Sequence, residues 1–267
     1  MMEITLTKPI AEGRTAEIYE WQDNTILKLY HAWCPSNWVE YESKVAHAVV
    51  EAGIPTPVAG EIVEVNGRRG LIFERVSGIS MLQDMNARPW NLYKHARTMA
   101  ELQFKINQLS FTGFMSYKDG LAHEIRKAPH LDDHTREQVL HILSSLQDGD
   151  RVCHGDFHPG NIMLTDKGAI VIDWITVRLG NPMTDFARTS MILTVGPKGA
   201  GDQINPIMMG FIKAFHKIYT RHYLHLMPDK HNERHKWLTV NAAARLSEQI
   251  EPERSDLIAI VEKGIRQ

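Results

Sequence analysis

Residues 154–161 read HGDFHPGN and residues 171–174 read VIDW, and what surrounds them decides the fold. Two arrangements of these side chains compete. His154 and His158 stand at the i, i+4 spacing that would put both imidazoles on one helical face, as a metal pair requires. Asp156, Asn161 and Asp173 instead form an ordered series of oxygen groups: a carboxylate, an amide and a second carboxylate. The flanks separate the two arrangements. RVCHGD (151–156), NIML (161–164) and AIVIDW (169–174) are short and rich in apolar or β-branched residues, with the turn sequence TDKG (165–168) between the last two. Pro159 and Gly160 oppose any helix inside the stretch. The segment therefore reads as a loop between strands, which dissolves the helical face, and the glutamate of an HExxH zinc site is missing.

A loop bearing Asp156 and Asn161, followed by a strand that ends in Asp173, suits phosphoryl transfer. That reaction needs a carboxylate to accept or orient the proton of an attacking hydroxyl, and oxygen ligands for the Mg²⁺ that bridges the phosphates. Asp156 fits the first role. Asn161 and Asp173 fit the second, since hard oxygen donors match Mg²⁺. A nucleotide also needs a cation and a phosphate-binding turn, and the N-terminal segment offers both. EITLTK (3–8), AEIYEW (16–21) and TILKLY (25–30) read as strands of a small antiparallel sheet. Lys28 stands centrally in the third, among Ile26, Leu27 and Leu29. Either its ammonium meets an anionic partner, or strand alternation turns it to solvent opposite Leu27 and Leu29. In the turn AEGRT (11–15), backbone N–H groups can cradle phosphate, with Gly13 as the sole glycine and Arg14 and Thr15 as side-chain contacts.

The remaining pattern predicts an α+β chain. SNWVEYESKVAHAVVEAGIPTP (36–57) starts at Ser36 or Asn37, repeats Val45, Ala48 and Val49 on one face, and stops at Gly53 and Pro55, so it predicts one helix. GEIVEV (60–65) and GLIFERV (70–76) flank Asn66-Gly67, a hairpin dipeptide that returns the chain to the sheet. After SGIS (77–80) the pattern turns helical. Residues 89–109 carry Leu92, Ala96, Met99, Leu102 and Ile106 at helical spacing, a second helix runs through 131–150, and everything from Met183 onward reads helical.

On HGDFHPGN and VIDW, the chain resembles the aminoglycoside phosphotransferase and choline kinase-like small-molecule kinases, which share the protein kinase-like fold. The resemblance extends weakly over most of the chain. It implies two lobes: residues 1–76 as a nucleotide-binding lobe of small antiparallel sheet plus one helix, and residues 77–267 as a mainly helical lobe with catalytic loop and acceptor site, with a hinge near 74–80. Asp156 inherits the role of catalytic base, Asn161 and Asp173 the magnesium positions, and His154 a loop-holding role. Lys28 inherits the α/β-phosphate position, with Glu42 as its helix partner and Glu40 as second choice. Gly13, Arg14 and Thr15 form the phosphate loop, although the chain departs there from GxGxxG. The backbone of Glu74 and Val76 faces adenine. Asp185, in GNPMTDFART (180–189), supports the catalytic loop from the following helix. His158 either contacts phosphate or substrate, or stabilises the loop.

Composition bounds the rest. With 267 residues, 43% hydrophobic content and a formal charge of −2, the chain is long enough for a folded core and gives no global reason to expect nucleic acid or a membrane as partner. Cys34 and Cys153 are the only cysteines and have no zinc spacing, and the first residues lack an apolar leader, so a cytoplasmic protein is expected. HNERH (231–235) repeats the i, i+4 histidine pair without a third ligand in view. The expected cofactors are Mg²⁺ and ATP, with GTP as the alternative nucleotide. The expected partner is a small-molecule hydroxyl acceptor. After Gly196, Lys and Arg outnumber Asp and Glu, which argues against a polycationic aminoglycoside and leaves metabolites, sugars, amino alcohols and protein hydroxyls. A protein kinase, or a catalytically silent nucleotide-binding regulator of the same fold, is the competing reading.

Overall fold

The computed structural model describes residues 6–199, 206–227 and 233–267. In chain order the strands are β1 (Ala11–Glu12), β2 (Ala16–Glu20), β3 (Thr25–Tyr30), β4 (Ala59–Val65), β5 (Arg68–Glu74), β6 (Ile79–Ser80), β7 (Arg151–Cys153), β8 (Ile162–Thr165), β9 (Gly168–Val171) and β10 (Arg178–Gly180). The helices are α1 (Asn37–Glu51), α2 (Met81–Ala87), α3 (Leu92–Ile106), α4 (Tyr117–Lys127), α5 (Asp133–Ser145), α6 (Pro182–Thr194), α7 (Gly196–Gly199), α8 (Pro206–Leu226), α9 (Arg234–Arg245) and α10 (Arg254–Ile265). They group into two compact units, one of residues up to Ser80 with Ile162–Ile175, the other of Met81–Asn161 with Thr176–Gln267.

The first unit is built on an antiparallel sheet in the order β1-β2-β3-β5-β4. Alternation along β3 divides its side chains between two apolar clusters. Leu27 and Leu29 pack with Tyr19 and Val65, whereas Tyr30 joins Ala16, Leu71 and Phe73 against Val39 and Ala46 of α1. Each buried leucine is worth about 1.5–3 kcal/mol over its exposed state, so this alternation fixes the register and sends Lys28 to the α1 side. Asn66 and Gly67 both take positive φ, 51° and 75°, the pair of left-handed residues that a tight β4–β5 hairpin demands. Of the expected first strand, residues 3–5 lie outside the described residues, and Leu6–Lys8 form no strand. Pro9, which offers no backbone donor, follows directly, and Leu6 packs onto the Tyr19 cluster instead.

The hairpin β8–β9, which the sequence reading set within the helical part, groups with this first unit. The physical reason is pairing: β6 bonds antiparallel to β8, with Ile79 opposite Leu164, the Val171 N–H donates to the Pro55 carbonyl, and Trp174 Nε1 donates to Thr56 Oγ1 at 2.8 Å. β9 ends at Val171, short of the expected Trp174, because Asp173 leaves the extended region at φ 65°.

In the second unit α3 packs on α8, α6 on α9, and α9 on α10, α4 and α5. Phe186 stacks on Tyr223 at 5.0 Å and on Tyr219 at 5.8 Å between ring centroids, an aromatic seam between α6 and α8. Pro89 opens a short 3-10 turn rather than α3 itself. Helices α2 and α4 were not foreseen. Gly120 interrupts the α4 pattern, whose buried residues are only Tyr117, Leu121 and Ile125, yet Ser116 caps it by accepting from the Asp119 N–H at 3.1 Å. Strand β10, also unforeseen, pairs with β7.

Candidate active site

Within the first unit, Lys28 is buried, only 8% exposed, which sets aside the solvent-facing orientation that alternation also allowed. Its Nζ lies 2.7 Å from Glu42 Oε1 and 2.7 Å from Asp173 Oδ1. Burial alone would lower the Lys28 pKa, but Asp173 and Glu42 outweigh it and raise it above its ordinary value, so the side chain is an ammonium. Burial raises the carboxyl of Glu42, which is 1% exposed, against the pull of Lys28. Glu40, the second choice, is taken by Arg69 on the exposed face of α1.

The turn between β1 and β2 is anchored rather than glycine-rich. The Gly13 N–H donates to the Ala16 carbonyl at 2.9 Å, and the Gly13 carbonyl meets His31 Nε2 at 3.2 Å. The Thr15 carbonyl accepts from the His31 N–H at 2.9 Å and from Cys34 Sγ at 3.2 Å. Arg14 is exposed. His31 and Cys34, which hold this turn from the segment after β3, carry no motif that sequence reading could catch. At the end of β5 the Glu74 N–H donates to the Val58 carbonyl and the Arg75 N–H to the Asn24 carbonyl, which ties down the chain just before Val76.

Within the second unit, residues 154–158 are irregular backbone, so the two histidines share no helical face. Gly155 takes φ 79°, and a Cβ there would meet the Thr176 carbonyl oxygen at 2.7 Å, so this position requires glycine. Two successive peptide planes of the loop are each gripped at both edges. In the first, Thr176 Oγ1 donates to the His154 carbonyl at 2.7 Å, and the Gly155 N–H donates to Asp185 Oδ1 at 2.8 Å. In the second, Arg188 Nε donates to the Gly155 carbonyl at 3.2 Å, and the Asp156 N–H donates to His154 Nδ1 at 3.3 Å. His154 is thus a loop-holding residue, as is Asp185. Asp185 is itself fixed by α3, since Gln103 Nε2 and Asn107 Nδ2 both donate to its Oδ2 at 3.1 Å.

The outcome is an Asp156 side chain held at the loop tip. Burial would raise its carboxyl, but His158, Arg188 and His154 outweigh that and keep it far below the usual carboxylate range. Asn161 donates Nδ2 to the Asp156 carbonyl at 2.9 Å, which leaves its Oδ1 as the atom a hard cation would take. His158 accepts the Gly160 N–H on Nδ1 at 3.0 Å and turns Nε2 toward Asp156 Oδ2 at 3.7 Å. It therefore stabilises the loop. Among the described residues no group of three or more His, Cys, Asp and Glu side chains is arranged to hold a metal ion, and His231 of the HNERH pair lies outside those residues. No helix among them is long and apolar enough to cross a membrane.

Arg188, Thr176, Gln103 and Asn107 were missed by sequence reading. Gln103 and Asn107 did leave a signal, as two amides spaced i, i+4 that continue the apolar face of α3 into its C-terminal cap.

No curated protein matches the chain. Solved structures share its fold at low identity. An aminoglycoside-3'-phosphotransferase of type VIII is 19% identical, with 92% of each chain covered and a TM-score of 0.64. A thermostable mutant aminoglycoside phosphotransferase, solved as a ternary complex with ADP and hygromycin B, is 13% identical over 98% of this chain and 93% of its own, with a TM-score of 0.66. A putative fructosamine-3-kinase from Haemophilus somnus is 12% identical over 97% and 90%, with a TM-score of 0.60. The fold is the protein kinase-like one of these enzymes. The model of the phosphotransferase enzyme family matches residues 7–223, and with that span of the chain covered, the protein belongs to this family and is a phosphotransferase.

Proposed function

We propose that this protein transfers the γ-phosphoryl group of ATP to a hydroxyl of a small molecule. The observation that carries the reading is the Lys28 ammonium, buried and held between Glu42 and Asp173 at 2.7 Å from each. A buried cation with two carboxylate partners is costly to build, and its use is to meet the α- and β-phosphates. The turn at Gly13, Arg14 and Thr15 offers backbone N–H groups to the phosphates. The Glu74 carbonyl and the Val76 N–H present an acceptor and a donor to adenine. The first unit, residues up to Ser80 with Ile162–Ile175, acts as the nucleotide lobe, and the second, Met81–Asn161 with Thr176–Gln267, as the acceptor lobe. Asn161 and Asp173 are hard oxygen donors that fit Mg²⁺, which when bound neutralises phosphate charge. Asp156, kept ionised by its neighbours, accepts or orients the acceptor proton. The aminoglycoside and ADP in relatives of this fold support a nucleotide and a polyhydroxylated or amino-sugar class of acceptor. The excess of cationic side chains after Gly196 favours a neutral or anionic member of that class.

The test is turnover with ATP across amino sugars, aminoglycosides, choline-like alcohols and sugars. Asp156→Asn should retain ATP affinity and lose about a hundredfold to ten-thousandfold in turnover. Unchanged turnover would remove Asp156 from its role, and the absence of ATP consumption with every acceptor would favour a silent nucleotide-binding regulator.

A further inference from the structure

Arg188 on α6 takes no proton or phosphate in the chemistry assigned so far, yet its side chain is half-buried, 16% exposed, and reaches the loop of Asp156. Its Nε donates to the Gly155 carbonyl at 3.2 Å while its Nη2 lies 2.5 Å from Glu248 Oε1. Glu248 Oε2 is 3.3 Å from Arg245 Nη1, and Arg245 gives Nε and Nη2 to the two oxygens of Glu253. Charges therefore alternate from the loop to the residue that precedes α10. Helix α6 already holds the loop through Asp185 on the Gly155 N–H, so a second contact from the same helix is not needed merely to dock the loop. What Arg188 adds is control of the next peptide plane. That plane contains the Gly155 carbonyl and the Asp156 N–H, and the Asp156 side chain departs from its far edge.

We propose that Arg188 is a positioning residue for Asp156, fixing the Gly155–Asp156 peptide and keeping a cation beside the carboxylate, and that Glu248 aims it. The proposal rests on the reading of Asp156 as the group that accepts or orients the acceptor proton. A guanidinium can serve the carbonyl and Glu248 at once through separate N–H groups, which a single ammonium does less well. A displacement of the reacting group by about 1 Å can cost about a hundredfold in rate, so loss of this brace is a loss of turnover rather than of nucleotide binding.

The experiment measures phosphate release from Mg-ATP with water as acceptor, ATP affinity by calorimetry, and thermal melting for Arg188→Gln, Arg188→Lys, Glu248→Gln and Asp156→Asn. Arg188→Gln should lose about tenfold or more in turnover, with ATP affinity within about twofold of the parent. Arg188→Lys should recover part of the loss, and Glu248→Gln should fall between the parent and Arg188→Gln. Arg188→Gln at parental turnover, or turnover and ATP affinity falling in parallel, overturns the proposal. Should Arg188→Gln fail to fold, parental turnover in both Arg188→Lys and Glu248→Gln overturns it. A parent protein no more active than Asp156→Asn sinks the reading of Asp156 and this proposal with it, whereas an active parent beside an equally active Arg188→Gln sinks only the role of Arg188.

Discussion

At the scale of one residue, Lys28 decides the most. Its ammonium neutralises two carboxylates, but these differ in what they lose without it, since Glu42 is nearly sealed from water whereas the Asp173 side chain is 37% exposed. Lys28→Met would leave Glu42 as an uncompensated buried charge, or force it to take up a proton, which burial already favours. Breaking a buried pair from one side costs about 3–5 kcal/mol. Asp173→Asn removes a half-solvated charge and leaves the Lys28–Glu42 pair intact, so it should cost well under half of that. Urea unfolding of the two variants checks the order, and equal losses would show that Glu42 finds another partner. The sequence pointed to Lys28 because a lysine sits amid apolar β3 residues, and only the family resemblance, not the residues themselves, ranked Glu42 ahead of Glu40 as its partner. Arg69 of β5 engages Glu40, which leaves Glu42 to Lys28.

At the scale of elements, α3 braces the Asp156 loop through α6. Gln103 lies on the buried face of α3 with Met99, Ala100, Leu102 and Ile106, and Asn107 is buried at its C-terminal cap, where isolated amides would be costly. Asp185 resolves this, 82 residues further along the chain from Gln103, and Tyr219 and Tyr223 of α8 close the network by donating to the Gln103 and Asn107 side-chain oxygens. Asp185→Ala would take one acceptor from each of three buried donors, although Gln103 Nε2 keeps Thr189 Oγ1 and Asn107 Nδ2 keeps the Val152 carbonyl. At about 1–3 kcal/mol for an unmet group, it should destabilise by at least about 1–3 kcal/mol, while Asp185→Asn, which keeps an acceptor oxygen, should lose less. Denaturant melts separate the two, and a mild Asp185→Ala would mean that the donors find other acceptors. The periodicities of β2, β3, α1, the β4–β5 hairpin and α3 were legible because each follows from local burial of one face. The loop braces were not, since they join residues of α3, α6 and α8 that only tertiary packing brings together. Gly155 was readable as loop, but the requirement for glycine comes from its φ of 79° and from the Thr176 carbonyl oxygen, which a Cβ would meet at 2.7 Å.

At the scale of the molecule, the chain leaves the first unit after Ser80 and returns to it at Ile162, so the strand pairing of β6 with β8 closes a long loop and the units are not consecutive in sequence. A single boundary at residue 76 misses this return, because β8 and β9 look like any short hairpin until β6 pairs with them. The acid response sums over both units. Glu17 is held low by Arg68, Glu40 by Arg69, and Asp84 by Asn91 and His95. Each such carboxylate binds its proton more readily in the unfolded chain, so its stabilisation is present above the ordinary value, 3.8 for Asp84, and is lost as pH falls through the folded pKa. Glu42 acts in the opposite direction, since burial raises it and unfolding near its ordinary value releases a proton. The lowered groups outnumber it, so the urea midpoint should fall steeply below about pH 4. Asp84 is the one to test, because it is buried and accepts from Arg88 at 2.8 Å and Asn91 at 3.0 Å, with His95 Nε2 at 2.7 Å, whereas the Glu40 pair is exposed and contributes little. Asp84→Asn should lower the midpoint at pH 7 and leave it nearer the parent at pH 3, flattening the acid limb. If the variant and parent instead run parallel from pH 7 to pH 3, the stabilisation at Asp84 does not depend on its charge, and the acid sensitivity belongs to the other carboxylates.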